Sequence, residues 1–236
     1  APPASGMSKT RRLRILVNNV YFHNRKTGLL LTLIKREKPD VIILQEFALH
    51  WPGFLKELPA EYRYRVEGHA LRSEGVIVSR YPIRSSAVLA PGELRFPPVR
   101  ADIDVDGTIV RVIGVHTALP LDEWGYRNQS RYLELVARAA RSFEGPVIVA
   151  GDFNLTHWTS RFARFARAGG LIRVAPTSLL ARTWYPLSLG TIAPALALPI
   201  DHVLIRGPIR LLDGRLGPDT GSDHLPQIVD LVLEGK

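Results

Sequence analysis

The sequence predicts a mixed α/β sandwich, and two observations carry that prediction. Short apolar runs of strand length alternate with amphipathic helical stretches along the chain. Hairpin signals also sit among the strand–helix–strand units in both halves. That mixture argues against a purely parallel sheet and against an all-β barrel. The 236 residues suffice for one large domain or two small ones with a sizeable buried core. Hydrophobic residues at 46% and charged residues at 22% exclude a disordered chain.

Residues 1–10 are small, polar and proline-containing, and read as a flexible leader or linker ahead of a domain spanning 11–236. Met7 lies inside that stretch and Ala1 begins the chain, which suggests a processed N-terminus. No apolar run reaches the roughly 18–20 residues that span a bilayer, and no charged leader precedes an apolar core as in a signal peptide.

Leu13 to Val20 reads as the first strand. Thr27 to Lys38 carries Leu29, Leu30, Leu33 and Ile34 at helical spacing, and Pro39 ends it. Val41 to Gln45 is rich in β-branched residues and reads as a buried strand. Tyr62 to Val66, Gly75 to Ser79, Ser86 to Leu89 and Arg100 to Val105 follow as short strands. Asp106-Gly107 is a hairpin turn leading into Thr108 to His116. Glu123 to Phe143 is the longest amphipathic stretch and reads as a helix. Pro146 to Ala150 is a buried strand, and Trp158 to Ala168 a second amphipathic helix closed by Gly169-Gly170. Strands return at Ile200 to Ile205, Ile209 to Asp213 and Pro226 to Leu233. Leu187 to Pro199 is a long apolar loop, read equally as surface packing or as a substrate-facing segment. There is no internal repeat.

The chain carries 31 basic against 22 acidic residues, a formal charge of +9, and Arg outnumbers Lys 25 to 6. Such a balance favours polyanionic partners, and Arg suits bidentate phosphate contacts. A genome rich in G and C produces the same excess, and the arginines are spread rather than blocked. Zero cysteine excludes disulfides, thiolate metal sites and a thiol nucleophile.

Chemically competent side chains stand at strand ends, where ligands gather in α/β proteins. Asn19 follows the first strand, Glu46 the second and His116 the strand Thr108 to His116. Asp152 and Asn154 follow Val147 to Gly151, and Asp223-His224 precedes the last strand. Asp201-His202 opens another. Singly, each has a structural explanation as a turn, a cap or a half-buried histidine. Together they offer carboxylate, amide and imidazole donors without sulfur. Hard oxygen donors suit Mg²⁺, Mn²⁺ or Ca²⁺, and histidines beside carboxylates suit acid–base work.

The chain resembles the endonuclease/exonuclease/phosphatase superfamily. The resemblance rests on ordered pieces: Leu13-Arg14-Ile15-Leu16-Val17-Asn18-Asn19-Val20, Pro39-Asp40-Val41-Ile42-Ile43-Leu44-Gln45-Glu46, Ser73 to Ile83, and Val115-His116-Thr117. Gly151-Asp152-Phe153-Asn154, Pro199-Ile200-Asp201-His202-Val203-Leu204 and Gly221-Ser222-Asp223-His224-Leu225-Pro226 complete it. It covers about Leu13 to Leu233. It implies a four-layer α/β/β/α sandwich with two mixed β-sheets, making 11–236 a single catalytic domain.

The resemblance also implies roles. Glu46 binds a divalent metal, Mg²⁺ or Mn²⁺, with Asn19 and Asp223 completing the metal site. Asp152 orients or deprotonates the attacking water, Asn154 holds phosphate, and His116 donates to a phosphoryl oxygen. His224 contacts phosphate or acts as the base, held by Asp201. Arg127 and Gln129 support the site or the fold, with Arg127 a further candidate for substrate binding. Trp184, in Thr183-Trp184, either stacks on a base or belongs to the core. His157 reads as a surface or cap residue, and His23, His50 and His69 as structural.

The implied activity is metal-dependent phosphodiester hydrolysis, with DNA the leading substrate and a nuclease the leading class. The alternative is a lipid-headgroup or small-phosphoester phosphodiesterase, and a binding module with a degenerate site ranks last because every catalytic position is filled. Gly217 to His224 is similar to a bacterial subgroup often carrying an N-terminal membrane region, so a membrane-tethered or extracytoplasmic setting is an option if such a region was removed.

Overall fold

A computed structural model describes residues 10–47, 51–68, 74–90, 92–175, 181–186 and 196–234. The chain opens with β1 (Arg11–Asn19), α1 (Thr27–Glu37) and β2 (Val41–Gln45). A single 3-10 turn at Trp51–Gly53 leads into the one-turn α2 (Phe54–Glu57). Then come β3 (Tyr64–Glu67), β4 (Val76–Ser79), β5 (Ile83–Val88), β6 (Val99–Val105) and β7 (Thr108–His116). The second half holds α3 (Glu123–Arg141), β8 (Val147–Asp152), α4 (Ser160–Gly169), β9 (Ile172–Ala175), β10 (Asp201–Arg206), β11 (Ile209–Leu216) and β12 (Gln227–Leu233).

Two six-stranded sheets result, in the orders β11-β12-β1-β2-β4-β3 and β5-β6-β7-β8-β10-β9. Each is mixed in the same way: β1–β2 and β7–β8 are parallel, and the other pairs are antiparallel. Strand periodicity then builds the layers. Leu13, Ile15 and Val17 of β1 point between the sheets and meet Val112, Ile148 and Val203 there. Leu16, on the opposite face, packs under Leu30, Leu33 and Ile34 of α1. On the second sheet Val147 and Val149 face Tyr132, Leu133 and Val136 of α3 and Phe162 and Phe165 of α4. One core between the sheets and one under each helical layer make the α/β/β/α sandwich. β2 and β8 are buried along their whole length, as central strands covered on both faces must be. Each fully buried Leu or Ile contributes about 1.5–3 kcal/mol relative to exposure.

The helix ends follow local chemistry. The Asp122 carboxylate accepts from the Gly125 N–H at the start of α3, and Thr159 accepts from the Phe162 N–H at the start of α4. Gly170 closes α4 in the left-handed region.

The structure revises several predicted boundaries. The strand expected at Ser86 begins at Ile83, and the one expected to stop at Ala150 runs on to Asp152. The last predicted third gains β9, a four-residue edge strand, and the one-turn α2 appears. The leader residues 1–9, His50, His69 and residues 187–195 of the apolar loop lie outside the described residues.

Gly151 is the position that most needs glycine. Its φ is +141°, and a Cβ there would lie 2.1 Å from the Val115 carbonyl oxygen. Gly151→Ala is expected to destabilise the fold by about 3 kcal/mol through steric overlap and backbone strain. Urea unfolding of the variant checks this, and a loss under 1 kcal/mol (roughly the ordinary effect of a point change) would contradict it.

Candidate active site

Strand register brings the polar strand ends together. Asn19 stands opposite Gln45, one residue before Glu46, across the parallel pair β1–β2. On the other sheet His116 stands opposite Asp152, and Asp152 opposite Asp201. The two parallel pairs end on the same side of the sandwich, and hydrogen bonds bridge the sheets there. Asn19 Nδ2 donates to Glu46 Oε1 at 2.9 Å and to Asp152 Oδ2 at 3.2 Å.

The loop before β12 supplies the remaining groups. Trp184 pairs in antiparallel fashion with Leu198 on one side and His224 on the other. Its indole Nε1 donates to Asp223 Oδ2 at 3.0 Å. Ser222 Oγ donates to the Asn19 carbonyl at 2.7 Å and accepts from the His224 N–H at 3.1 Å. Thr183 Oγ1 accepts from the N–H groups of Ile200 and Asp201, at 3.2 and 3.0 Å.

Two histidines face one carboxylate. His224 Nδ1 lies 2.9 Å from Asp201 Oδ2, and its Nε2 is 3.7 Å from Asp152 Oδ2. His116 Nε2 lies 3.9 Å from the same Asp152 oxygen and 3.8 Å from Glu46 Oε1. Burial opposes charge on His224, but Asp201, Asp152 and the Asp201 hydrogen bond outweigh it and push its pKa up to about 10. Burial dominates at His116 and lowers it to about 4. Burial, then the nearby Asp201, lifts Asp152 to about 7. Burial also raises Asp223.

The residues fit a divalent cation. Asp223 Oδ1 is buried without a hydrogen-bond partner. Glu46 holds a left-handed φ of 56°, with Oε2 anchored by the Phe22 N–H at 3.0 Å. Glu46 and Asp223 therefore offer carboxylate oxygens to the cluster, while Asn19 turns its Nδ2 toward Glu46 and Asp152 and its Oδ1 toward the Tyr21 N–H at 3.0 Å. Asp152, Asp201 and His224 also lie within 4.8 Å of one another. Within that trio His224 is hydrogen-bonded to Asp201, and Asp152 stands 3.7 Å from its other ring nitrogen.

The other sequence candidates fall out differently. Asn154 donates its amide to the Thr117 carbonyl at 2.8 Å, and its N–H to Asp152 Oδ1 at 2.8 Å. It thus fixes the turn that aims Asp152. Arg127 is not brought to the cluster. It pairs with Glu123 one turn back on the exposed face of α3, at 2.5 Å. The buried partner on that helix is Gln129, whose Nε2 donates to Thr117 Oγ1 and to the carbonyls of Ala118, Phe153 and Asn154, at 3.1–3.3 Å. One side chain so ties the loop after β7 to the loop after β8. His157 is half-buried beside Trp158 and His202, with both ring nitrogens unpartnered. His23 is exposed against Phe22.

Sequence reasoning missed Glu74 and Phe96, and named Thr183 and Ser222 only as members of motifs, without a role. Glu74 Oε2 is 3.8 Å from His116 Nδ1, and burial, then Glu46, raises its pKa. The Phe96 ring stacks on His116 at 4.6 Å and 6°, with the Arg95 guanidinium 4.9 Å from the Phe96 centroid. Glu74 and Phe96 stand beside no carboxylate, amide or imidazole donor in the sequence, which was the available signal.

His202 is fully buried rather than half-buried. Its Nε2 is 2.9 Å from the Leu155 carbonyl, and Nδ1 accepts from Arg173 Nε at 3.2 Å. Burial lowers its pKa from 6.5 to about 3. The unfolded chain therefore takes up a proton below pH 6.5 that the native state refuses until about pH 3. Stability is full above 6.5 and falls with acidification across that window, by up to about 1.4 kcal/mol per pH unit. Urea midpoints between pH 4 and 8 are expected to show this slope, and His202→Gln to flatten it. An equal slope in the variant would contradict the assignment.

The model of the endonuclease/exonuclease/phosphatase family matches residues 19–224, a span that opens on Asn19 and closes on His224. The chain belongs to the endonuclease/exonuclease/phosphatase family. This is a family of phosphoester hydrolases. The chain is similar to the UPF0294 protein YE0917 of Yersinia enterocolitica, 26% identical over 246 residues, which cover 97% of this chain and 87% of that one. Among solved structures, an endonuclease/exonuclease/phosphatase protein of Beutenbergia cavernae superposes with a TM-score of 0.77 at 21% identity, over 95% of this chain and 72% of that chain. TDP2 of D. rerio complexed with single strand DNA product gives 0.76 at 18% identity, over 93% and 98%. Sphingomyelinase C of Streptomyces griseocarneus gives 0.67 at 17% identity, over 93% and 99%. These structural likenesses share the endonuclease/exonuclease/phosphatase fold.

Proposed function

We propose that this protein hydrolyses phosphodiester bonds with the help of a divalent cation, Mg²⁺ or Mn²⁺. The observation that carries the reading is the meeting of Asn19, Glu46, His116, Asp152, Asp201, Asp223 and His224 at one end of both sheets. Glu46, Asn19 and Asp223 would hold the cation, which when bound neutralises charge developing on the phosphoryl oxygens. Asp152, with a pKa lifted toward neutrality, accepts a proton from the attacking water. His224, charged between Asp201 and Asp152, offers its Nε2 proton to a phosphoryl oxygen, and His116 Nε2 faces the same space. Asn154 and Gln129 hold the Asp152 and His116 loops in place.

DNA presents such a bond, and the +9 charge and the half-buried Trp184 ring support the nuclease reading. A phospholipid headgroup presents the same bond, and exposed leucines around the cluster support that second reading. A soluble diester, bis-p-nitrophenyl phosphate, tests the chemistry apart from the substrate. Hydrolysis is expected with Mg²⁺ or Mn²⁺ and none with EDTA. Glu46→Gln is expected to raise the metal concentration for half-maximal rate roughly 10–100-fold. An unchanged metal requirement would remove Glu46 from the cation site.

A further inference from the structure

The loops at the active-site end of the sandwich share a property that catalysis does not use. Phe22, Leu119, Leu121, Trp124, Trp158 and Leu196 project from them with 40–85% of their surface exposed. Phe22 lies in the loop after β1, Leu119 and Leu121 in the loop after β7, and Trp124 on the first turn of α3. Trp158 lies after β8, and Leu196 precedes β10. These segments flank Asn19, His116, Asp152 and Asp201 in turn. Among the described residues, the opposite end carries fewer large exposed apolar side chains, Leu212 of β11 beside the basic cleft and Ile172 at the start of β9, and no exposed tryptophan. Large apolar side chains gathered on one face mark an interaction surface rather than the ordinary scatter of exposed hydrophobics.

The chemistry of the rim separates two partners. Nucleic-acid bases stack on aromatic rings and the backbone wants a continuous basic groove; a leucine at 85% exposure serves neither. Leucine beside tryptophan suits the boundary between headgroups and acyl chains. The basic charge also lies partly elsewhere. Arg12, Arg14, Arg36, Lys38 and Arg80 line a cleft of about 460 Å³ at the far end, together with Glu37, Asp40 and Asp230. Near the rim, Arg25, Lys26 and Arg95 are exposed beside Phe22 and Phe96. A few cations among apolar side chains complement a layer of lipid phosphates.

We infer that the apolar rim docks this protein on a phospholipid bilayer, so that the substrate is a headgroup phosphodiester presented at the membrane surface. The inference rests on the phosphodiesterase reading for its chemistry and on the rim for its docking. Water attacks phosphorus, one P–O ester bond breaks, and the water proton passes to the departing oxygen, leaving a phosphomonoester and an alcohol.

The test uses Leu121→Ser combined with Trp158→Ser; both side chains are largely exposed, so the core is untouched. Co-sedimentation with phosphatidylcholine vesicles, with and without phosphatidylglycerol, reads docking. Release of headgroup from vesicle-borne sphingomyelin and phosphatidylcholine reads turnover. The parent protein is expected to sediment with vesicles. The double variant is expected to bind at least ten-fold more weakly and to cleave the vesicle lipid correspondingly slower, with unchanged hydrolysis of bis-p-nitrophenyl phosphate. A parent protein that stays in solution with both vesicle types, or a variant that binds like the parent, overturns the docking. Cleavage of plasmid DNA slowed by the variant, without vesicle binding, overturns it in favour of a nucleic acid. Rim-dependent vesicle binding with no hydrolysis of the soluble diester keeps the docking surface and overturns the phosphodiesterase reading instead.

Discussion

Replacing Asp152 by Asn is expected to lower kcat/KM on a soluble phosphodiester roughly a thousandfold while leaving the fold intact. The carboxyl is 2% exposed and sits at the centre of the site. Its Oδ1 accepts from the Asn154 N–H, and its Oδ2 faces Asn19, His116 and His224. Burial, with Asp201 nearby, lifts its pKa to about 7, which suits a group that takes a proton from water near neutrality. An amide of the same shape keeps the packing and cannot accept that proton. Steady-state rates with saturating Mn²⁺, beside a thermal melt, make the measurement. A rate within tenfold of the parent at equal stability would exclude Asp152 as the proton acceptor.

The second large effect concerns the pair behind it. His224→Gln is expected to cost roughly 10²–10³ in kcat, and Asp201→Asn a somewhat smaller factor. The double variant should be no worse than His224→Gln alone. The reason is geometric. Asp201 is buried and bonds His224 Nδ1 at 2.9 Å, so in this scheme it acts through the imidazole rather than on substrate. Its loss lets burial lower the pKa of His224, which is otherwise held up to about 10. A double-mutant cycle on kcat reads the coupling directly. Additive losses would mean that Asp201 and His224 act independently, and the relay would be wrong.

How much of this was readable beforehand depends on the range of each interaction. The long helix α3 and the buried strands β2 and β7 were legible because their periodicity is local. β9 and α2 were not: unlike the apolar Val-Ile-Val of β4, the edge strand β9 interrupts its apolar residues with Arg173, and α2 is a single turn. The choice between Arg127 and Gln129 was partly legible. Two residues apart on a helix lie on nearly opposite faces, and the buried stripe of Tyr132, Leu133 and Val136 selects Gln129. Glu74 and Phe96 were illegible because each meets His116 only once separate loops have folded to the same end.

Local sequence determined which donor stands at which strand end, since alternation and turn residues fix where a strand stops. It therefore identified Asn19, Glu46, His116, Asp152, Asp201, Asp223 and His224. Local pattern alone did not join them into one site, which came from the family resemblance, nor did it show that leucine and tryptophan surround it. The bond from Asn19 to Asp152 closes 133 residues of chain, and that from Ser222 to Asn19 closes 203. Such contacts are selected by the packing of two sheets through Ile15, Ile43, Val112, Ile148 and Val203. Burial of that shared core brings the strand ends together, and the polar residues it gathers lose water and acquire shifted proton affinities only then.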